Sequence, residues 1–379
     1  MTSDVGDDLG VIDLQTVDLF TPAHPLHLES GAELTNVTVA YETYGQLSPA
    51  RDNAVFVCHA LTGDAHAAGW HLGDKRPGWW STMIGPGKAI DTNRWFVICP
   101  NLLGGCQGTT GPSSVDPLTD RVFGLDFPLL HMRDFVTCHR ALLDFMGIPH
   151  LHAAMGGSLG GMQVLQWALD FPSEMDKALV IAASSRLTAQ NIAFSAVARE
   201  AIMRDENFVN GRFAEQGRNP DVGLSIARMM AHITYLSEDA FTVKFGRAPQ
   251  GETPDPGFGV DFAVEGYLRH QGQAFLTRFD ALSYLYLSRV MDYFDPFAES
   301  APMLSGVASP HTLVVSFDSD WRFATAHSLR IVRQLVDAKT DVTFREIVSP
   351  WGHDSFLLDV PEYLETVRQF MNAPRLGAS

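Results

Sequence analysis

The sequence predicts an α/β fold with a mostly parallel central sheet and a helical cap inserted late in the chain. Short, almost continuous apolar runs are typical of strands covered on both faces, and they occur at 54–63, at 95–101, ahead of Gly156 and at 177–184. Helical patterns alternate with the later runs, as in parallel sheets with crossover helices. From 185 to 298 the segments are helix-like with no such run between them. This pattern predicts a cap, 185–298, between two core segments, 1–184 and 299–379.

The N-terminal part supplies the edge of the predicted sheet. Residues 15–45 alternate apolar and polar positions on either side of Ser30-Gly31, which indicates an antiparallel hairpin at a sheet edge. A long loop follows at 64–93. The glycine-rich segment 101–114 does not fit the spacing of a phosphate-binding loop or of a dinucleotide fingerprint. We therefore interpret it as an irregular loop that lines a cleft.

The later elements follow in a regular order. After Pro128, apolar residues recur at helical spacing until Gly147, a typical helix stop. The strand ahead of Gly156, a second helix and the strand at 177–184 come next. Beyond the cap, strand patterns resume at 311–320 and 342–348, and a final helix begins at Pro361. The alternation of strands and helices supports the parallel sheet.

Composition and charge exclude several classes of protein. The 379 residues, 46% of them hydrophobic, can bury a large core, and the net charge of -17 argues against nucleic acid or an anionic membrane as a partner. An anionic cosubstrate would need locally placed cations. The four cysteines have no C-x-x-C spacing and are expected to be reduced thiols. Without a secretory signal or a membrane-spanning run, we expect a cytoplasmic protein.

The segment Gly156-Gly157-Ser158-Leu159-Gly160 is the central chemical motif. It places a G-x-S-x-G serine between a predicted strand and a predicted helix, the setting in which a serine becomes an exposed nucleophile on a strained turn. The small residues let the strand and the helix approach closely. Without chemistry, the same residues would form only a tight β–α turn. We predict that Ser158 is a nucleophile.

A serine nucleophile needs a base, and the base needs a third group that orients it. In α/β-hydrolase folds these residues follow in the order serine, acid, histidine. Asp320, at the end of the predicted strand 311–320, and His353, after the last strand, satisfy this order. Asp318 and Asp354 are alternative acids, but Asp318 should face away along the strand and Asp354 adjoins the histidine. We predict a triad of Ser158, Asp320 and His353.

Two backbone amides are predicted to stabilise an oxyanion. The N–H of Leu159 follows the nucleophile at the positive end of a helix, and Leu61 lies in the small-residue turn that ends the strand at 54–63. His59 lies in the same turn. Because a backbone donor can serve there, we interpret His59 as a hydrogen-bonded structural histidine.

Several longer stretches carry a resemblance to a known family. From about residue 15 to 372 the sequence resembles the homoserine O-acyltransferases of the α/β-hydrolase type, in the segments VAYETYGQL, HALTGDAH, PGWW, LGGCQGTTGPSS, GGSLGGMQ, FDSDWRF and GHDSFL. The resemblance implies the same triad. It also implies that Arg228 and Asp354 bind the amino acid substrate, since an arginine fork suits an α-carboxylate and Asp354 suits an α-ammonium.

The resemblance leaves the acyl donor open between succinyl-CoA and acetyl-CoA. Members of the succinyl type carry arginine at the position of Arg322, whereas acetyl types more often carry an apolar residue. A cation two residues from the predicted acid can pair with the distal carboxylate of a succinyl group. We therefore expect transfer from succinyl-CoA to the hydroxyl of L-homoserine through a Ser158 acyl-enzyme. In the alternative, Arg322 is a surface partner of a neighbouring carboxylate and the donor is acetyl-CoA.

Other interpretations stay open from the residues alone. The same triad suits an esterase or thioesterase with water as the acceptor, a serine acyltransferase, or a binding scaffold without catalysis. No H-E-x-x-H or comparable motif suggests a metal. We expect acyl-CoA as a cosubstrate and no resident cofactor. The residues do not determine the oligomeric state. We expect a homodimer.

Overall fold

Eight strands build the central sheet of the computed structural model, which describes residues 9–251, 257–298 and 308–374. The strands are β1 (Gln15–Phe20), β2 (Val37–Tyr44), β3 (Ala54–Cys58), β4 (Phe96–Pro100), β5 (Leu151–Gly157), β6 (Met175–Ile181), β7 (His311–Phe317) and β8 (Val342–Ile347). They lie in the order β1-β2-β4-β3-β5-β6-β7-β8.

The sheet is parallel from β4 to β8 in this order, and only β1 and β2 pair antiparallel with their neighbours. This arrangement confirms the predicted, mostly parallel sheet. All five residues of β3 are buried. Because both faces of the inner strands are covered, their sequences show continuous apolar runs instead of alternation.

The N-terminal edge differs in detail from the predicted hairpin. β1 pairs antiparallel with β2 at the edge of the sheet, as expected. The turn at Ser30-Gly31, however, joins two short strands, Leu26–His27 and Glu33–Leu34, that form a separate small ribbon. The alternating pattern of 15–45 therefore covers two separate strand pairs, the pair of β1 with β2 and the small ribbon. A sequence pattern of period two does not show which strands pair with each other.

Nine α-helices accompany the sheet in the part of the chain that the structure describes. They are α1 (Met132–Met146), α2 (Leu159–Asp170), α3 (Ala189–Met203), α4 (Asp221–Tyr235), α5 (Glu238–Lys244), α6 (Ala263–Phe275), α7 (Ala281–Tyr293), α8 (Thr325–Asp337) and α9 (Pro361–Asn372). Gly147 ends α1 in the left-handed conformation, with φ 65°, which glycine adopts without strain.

The sequence analysis did not identify α8. Its buried positions, Ser328, Ile331 and Leu335, follow helical spacing, but most of its other residues are polar or exposed. Along the chain this helix lies between β7 and β8. These two strands pair in parallel, and a parallel pair requires a crossover connection. The topological requirement was thus a stronger signal for α8 than its composition.

The core occupies both faces of the sheet. Along β3, Phe56 belongs to a cluster with Trp167 of α2, whereas Val55 and Val57 belong to a second cluster with Trp80. Neighbouring residues of a strand point to opposite faces, so the two clusters lie on opposite sides of the sheet. The core therefore holds the central strands rigidly, and their carboxyl ends are well placed to carry a site.

Five helices, α3 to α7, lie between β6 and β7. They fall within the segment 185–298 that the sequence analysis assigned to a cap. The boundary predicted at 298/299 adjoins residues 299–307, which lie outside the described residues. α3 and α4 pack on each other, and α4 packs on α6. Of these helices, α4 and α6 form part of the wall of the large cavity described below.

The glycine-rich segment 101–114 continues the pairing of β2 beyond the end of β4. The hydroxyl of Thr109 accepts the N–H of Ala40 at 2.9 Å, and the hydroxyl of Thr110 accepts the N–H of Thr38 at 2.9 Å. No residue of the segment lines either cavity described below. The expectation that it lines the cleft was therefore wrong, and two of its threonines bond to the backbone of β2 instead.

The four cysteines are free thiols. Cys58, Cys99 and Cys138 are buried, and burial raises the pKa of Cys106 to about 11. A thiol with so high a pKa is a poor nucleophile at neutral pH. None of the described helices is both long and apolar enough to span a membrane.

Candidate active site

Ser158 occupies the tip of the sharp turn between β5 and α2. Its backbone has φ 59° and ψ −122°, a conformation that L-residues rarely adopt and that stores strain. The neighbouring glycines make the turn possible. A Cβ on Gly160 would lie 2.0 Å from the carbonyl oxygen of Cys58, and one on Gly157 would lie 2.3 Å from the ring of Phe356. The turn therefore holds the serine at the carboxyl edge of the sheet.

The structure brings the three predicted triad side chains together. Nε2 of His353 lies 2.9 Å from Oγ of Ser158, and Nδ1 of His353 lies 2.7 Å from Oδ2 of Asp320. Oδ1 of Asp320 accepts the backbone N–H of Phe323 at 2.8 Å. A buried carboxylate that accepts from Nδ1–H leaves Nε2 free to accept the serine proton, as general base catalysis requires.

Elements of both the core and the cap fix the imidazole of His353. The ring of Phe323 lies edge-on at a centroid distance of 5.1 Å, and the ring of Tyr235, from α4, lies at 5.8 Å. Gly352 has φ +70°, and a Cβ there would lie 2.6 Å from the backbone nitrogen of Ser237. The loop that carries His353 thus packs directly on the cap, so the cap helps to position the histidine.

The two alternative acids occupy other places. Oδ1 of Asp318 accepts the N–H of Ser349 at 2.9 Å, which ties the end of β7 to the loop after β8. Asp354 is partly buried and faces the large cavity described below. Because Nδ1 of His353 is bonded to Asp320, the geometry favours Asp320 over both alternatives.

The two predicted oxyanion donors belong to one edge of the sheet. Leu159 is the first residue of α2, so its N–H has no acceptor within the helix. Leu61 follows β3, the strand that pairs with β5. Both ring nitrogens of His59 bond to the backbone, one to the carbonyl oxygen of Ala60 at 2.8 Å and the other to the N–H of Leu102 at 3.0 Å. His59 therefore holds the turn that carries Leu61.

A cavity of about 610 Å³ lies between the cap and the core, and we call it the large cavity. Its walls come from the loop after β3, from α4 and α6, and from the residues next to His353. Four cationic side chains line it, although the chain as a whole is strongly acidic: Lys75, Arg76, Arg228 and Arg278. The sequence analysis identified only Arg228, because the other three lie in loops or cap segments without a local motif.

Arg228 and Asp354 both line the large cavity. Nη1 of Arg228 donates to the hydroxyl of Thr62 at 3.2 Å, and the guanidinium lies 4.7 Å from the ring centroid of Phe275. No carboxylate oxygen of the described residues lies within 4 Å of this guanidinium. Burial raises the pKa of Asp354, and the charges of His353 and Arg228 act in the opposite direction. A cation bound beside Asp354 would offset the cost of burying its negative charge.

Arg322 is only 9% exposed, so the alternative of a surface ion pair was wrong. Its Nη1 donates to the hydroxyl of Thr234 at 3.2 Å. Across the described ranges, no carboxylate oxygen comes within 4 Å of its guanidinium. Together with Leu61 and Tyr284, it lines a second, small cavity of about 10 Å³, room for about one water molecule. The guanidinium lies 5.9 Å from the ring centroid of Tyr235 and 5.8 Å from that of Phe323. Burying a cation is costly, and a carboxylate beside it would reduce that cost once the small cavity widens to admit one.

The structure also brings together three side chains that the sequence analysis did not connect. Glu42, His66 and His71 each present a potential metal-ligand atom, and these atoms lie within 4.8 Å of one another. The expectation of no metal rested on the absence of a local motif. Glu42 and His66 are 24 residues apart and lie on different elements, so no local motif could have shown the cluster.

The comparisons with known proteins agree with this fold. The alpha/beta hydrolase fold family matches residues 53–360. The chain is 56% identical to a homoserine O-succinyltransferase of Nocardioides sp. over 96% of this chain and 99% of that protein. It is 50% identical to a homoserine O-acetyltransferase of Rhodospirillum rubrum over 94% of this chain and 92% of that protein. The crystal structure of esterase E22 is also similar, with a TM-score of 0.85, 28% identity, and coverage of 95% and 100%.

Fold and sequence thus lead to the same assignment. The mostly parallel sheet, the strained serine turn and the order serine, acid, histidine are features of the α/β-hydrolase fold. Identities of 50% and above over nearly the whole chain place it next to acyltransferases within that fold. The chain belongs to the homoserine O-acyltransferase family of the α/β-hydrolase fold.

Proposed function

We propose that this protein transfers a succinyl group from succinyl-CoA to the hydroxyl of L-homoserine, a reaction of methionine biosynthesis. The observation that carries the proposal is a pair of guanidiniums without carboxylate partners among the described residues. Arg322 lies in the small cavity beside Leu61, and Arg228 lies in the large cavity beside Asp354. Succinyl and homoserine each bring one carboxylate, and an arginine fork binds a carboxylate in a bidentate manner.

In the first half-reaction, Oγ of Ser158 attacks the thioester carbonyl while Nε2 of His353 takes the hydroxyl proton. The developing oxyanion accepts the N–H groups of Leu61 and Leu159. The C–S bond then breaks, His353 returns the proton to the leaving sulfur, and free CoA departs. The succinyl group stays as an ester on Ser158, and its distal carboxylate pairs with Arg322 in the small cavity, which has to widen beyond the volume of one water molecule to admit it.

In the second half-reaction, homoserine occupies the large cavity that CoA has left. Arg228 binds its α-carboxylate and Asp354 its α-ammonium, so that the side-chain hydroxyl faces the ester. His353 takes the hydroxyl proton, the hydroxyl oxygen attacks the ester carbonyl, and the proton returns to Ser158 as the product leaves. Because both substrates use one cavity in turn, the geometry supports a ping-pong mechanism.

The cations of the large cavity support an acyl-CoA donor. Lys75, Arg76 and Arg278 line the cavity on the loop and cap sides, together with Asp64 and Asp74. Asp64 lies 4.0 Å from Arg278, so Lys75 and Arg76 are the better placed to attract the phosphates of CoA. We expect no resident cofactor for this chemistry. A cytoplasmic location and a homodimer also stay predictions, and light scattering on the purified protein will test the dimer.

The competing function is hydrolysis, since esterase E22 has a similar fold. We expect that homoserine raises the rate of thiol release from succinyl-CoA at least tenfold, because a bound hydroxyl has a large effective concentration compared with water. The measurement is a thiol assay at saturating succinyl-CoA, with and without homoserine. A rate that does not respond to homoserine would show that water is the acceptor.

Two compounds serve as controls for this assay. L-2-aminobutyrate keeps the carboxylate and ammonium groups of homoserine but lacks its hydroxyl, so we expect it to inhibit transfer and to release no additional thiol. L-serine tests the alternative acceptor. If serine supports faster thiol release than homoserine, the assignment of the acceptor is wrong while the acyltransferase mechanism stands.

The donor assignment depends on Arg322. We expect R322L to lower kcat/KM for succinyl-CoA by about ten- to a hundredfold, the value of one charge-assisted hydrogen bond of about 1.5–3 kcal/mol. The same variant should change kcat/KM for acetyl-CoA by less than about threefold, since acetyl has no distal carboxylate. Steady-state kinetics with both donors provide the measurement.

A matched variant separates charge from packing in this experiment. R322K keeps the cation but loses the planar fork, so its preference for succinyl-CoA should lie between those of the parent and R322L. Equal losses with both donors in R322L would mean that Arg322 only packs the small cavity. In that case acetyl-CoA becomes the favoured donor.

A further inference from the structure

A buried carboxylate and two imidazoles meet beside the large cavity, and one of the imidazoles, that of His66, lines it. Glu42 lies on β2, and His66 and His71 lie in the loop after β3. Oε2 of Glu42 lies 2.9 Å from Nδ1 of His66, and Oε1 lies 2.6 Å from Nε2 of His71. We call these three side chains the Glu–His–His cluster.

The carboxylate of the cluster is held in a fixed position. The side chain of Glu42 is fully buried. The hydroxyl of Tyr44, two residues along β2, lies 2.8 Å from Oε2 of Glu42 and accepts the N–H of Ala67 at 2.8 Å. Partners of this kind orient a ligand before a metal binds. The cluster is therefore preorganised on its buried side.

The two imidazoles lie together between Glu42 and a second carboxylate. Their rings stack with centroids 3.7 Å apart and an interplanar angle of 30°. Oδ2 of Asp74 lies 3.8 Å from Nε2 of His66 and 3.8 Å from Nδ1 of His71. Nε2 of His66 is buried and makes no hydrogen bond to any described residue. Asp74 thus faces the ring nitrogens opposite to those that face Glu42, and the two imidazoles converge on Glu42.

We propose that Glu42, His66 and His71 bind a divalent transition-metal ion such as Zn²⁺. Imidazole nitrogen and carboxylate oxygen are ligands that zinc prefers in tetrahedral sites. Around a tetrahedral zinc ion the ligand atoms lie about 3.3 Å apart. The observed contacts of 2.6 and 2.9 Å therefore need to widen by less than about 1 Å. The protons now between Glu42 and the imidazoles leave as the metal binds.

The position of the cluster indicates what the metal does. His66, Asp74, Lys75 and Arg76 all line the large cavity, and they lie on the loop that the metal would join to β2. The ion would fix this loop against the sheet and so stabilise the cavity wall that carries two of its cations. This role is structural, lies outside the reaction of the triad and does not depend on the identity of the substrates.

Equilibrium dialysis of the full chain against Zn²⁺, after removal of metals with EDTA, tests the proposal. We expect one Zn²⁺ per chain by elemental analysis. In H71Q, the glutamine amide can still donate to Glu42, but it replaces an imidazole ligand, and we expect zinc affinity to fall at least a hundredfold. The control is H27A, since His27 also pairs with a glutamate, Glu33 at 3.0 Å, but on the surface. H27A should bind zinc like the parent.

Thermal unfolding provides a second readout that is independent of activity. Because zinc binds the folded state, it should raise the Tm of the parent and of H27A but leave the Tm of H71Q unchanged. If H71Q does not fold, H71A, at a position that is one-third exposed, takes its place. Less than one tenth of a zinc ion per parent chain, or equal zinc affinity in H71Q and the parent, would overturn the proposal. The cluster would then be a hydrogen-bonded network only.

Discussion

Replacing Ser158 with alanine is expected to lower kcat for acyl transfer by about 10⁶-fold, as in enzymes that lose a serine nucleophile. The hydroxyl that forms the acyl-enzyme lies 2.9 Å from its base, and an alanine side chain has no group that can replace it. The backbone of the turn should persist, since alanine is no larger than serine. Thiol release from succinyl-CoA with homoserine present gives the rate.

Mass spectrometry provides the direct test of the covalent step. The parent, mixed with succinyl-CoA in the absence of homoserine, should gain the mass of one succinyl group on the peptide that contains Ser158, and S158A should gain none. The matched control is S328A, since Ser328 is buried in α8 and its hydroxyl has no hydrogen-bond partner among the described residues. If the activity of S158A stays within tenfold of the parent, an acyl-enzyme on Ser158 is excluded. The interpretation as a binding scaffold without catalysis by the triad would then be favoured.

The fold could be predicted from the sequence because its inner strands have a clear signal, a short apolar run. Runs such as 54–63 are almost continuously apolar because the strand that they contain, Ala54–Cys58, is covered on both faces. The serine turn marks where one strand ends and a helix begins. Helix α8 was missed because only three of its thirteen residues are buried. Its presence follows from the parallel pairing of β7 and β8, which is a property of the sheet and not of the segment.

The site was predictable only where chain order constrains it. The order of Ser158, Asp320 and His353 along the chain is typical of the fold, and each residue follows a strand end. In contrast, the unpaired state of Arg322 depends on the cap residues around it, which no local pattern specifies. The Glu–His–His cluster depends on a loop that returns to β2, so it too appears only when distant segments are placed in space.

The second large effect concerns Asp320. D320N should lower kcat by about 10⁴-fold, because the substitution changes which nitrogen of the imidazole carries the proton. The N–H of Phe323 donates to Oδ1 of Asp320 at 2.8 Å, so the oxygen of an asparagine amide would stay at this position. Its NH₂ group would then face Nδ1 of His353, which must accept, and Nε2 would carry the proton. A protonated Nε2 donates to Ser158 and is unable to act as its base.

This mechanism makes a prediction that distinguishes Asp320 from its neighbour. Asp318 lies directly after β7 and also accepts a backbone N–H, that of Ser349 at 2.9 Å, so D318N makes the same chemical change without touching the histidine. We expect kcat of D318N to stay within about tenfold of the parent, and KM for both substrates to change little in either variant, since neither carboxylate lines the large cavity. If D318N loses activity and D320N keeps it, then Asp318 orients the histidine in solution. His353 would in that case take the Ser158 proton in an arrangement different from the one in this structure.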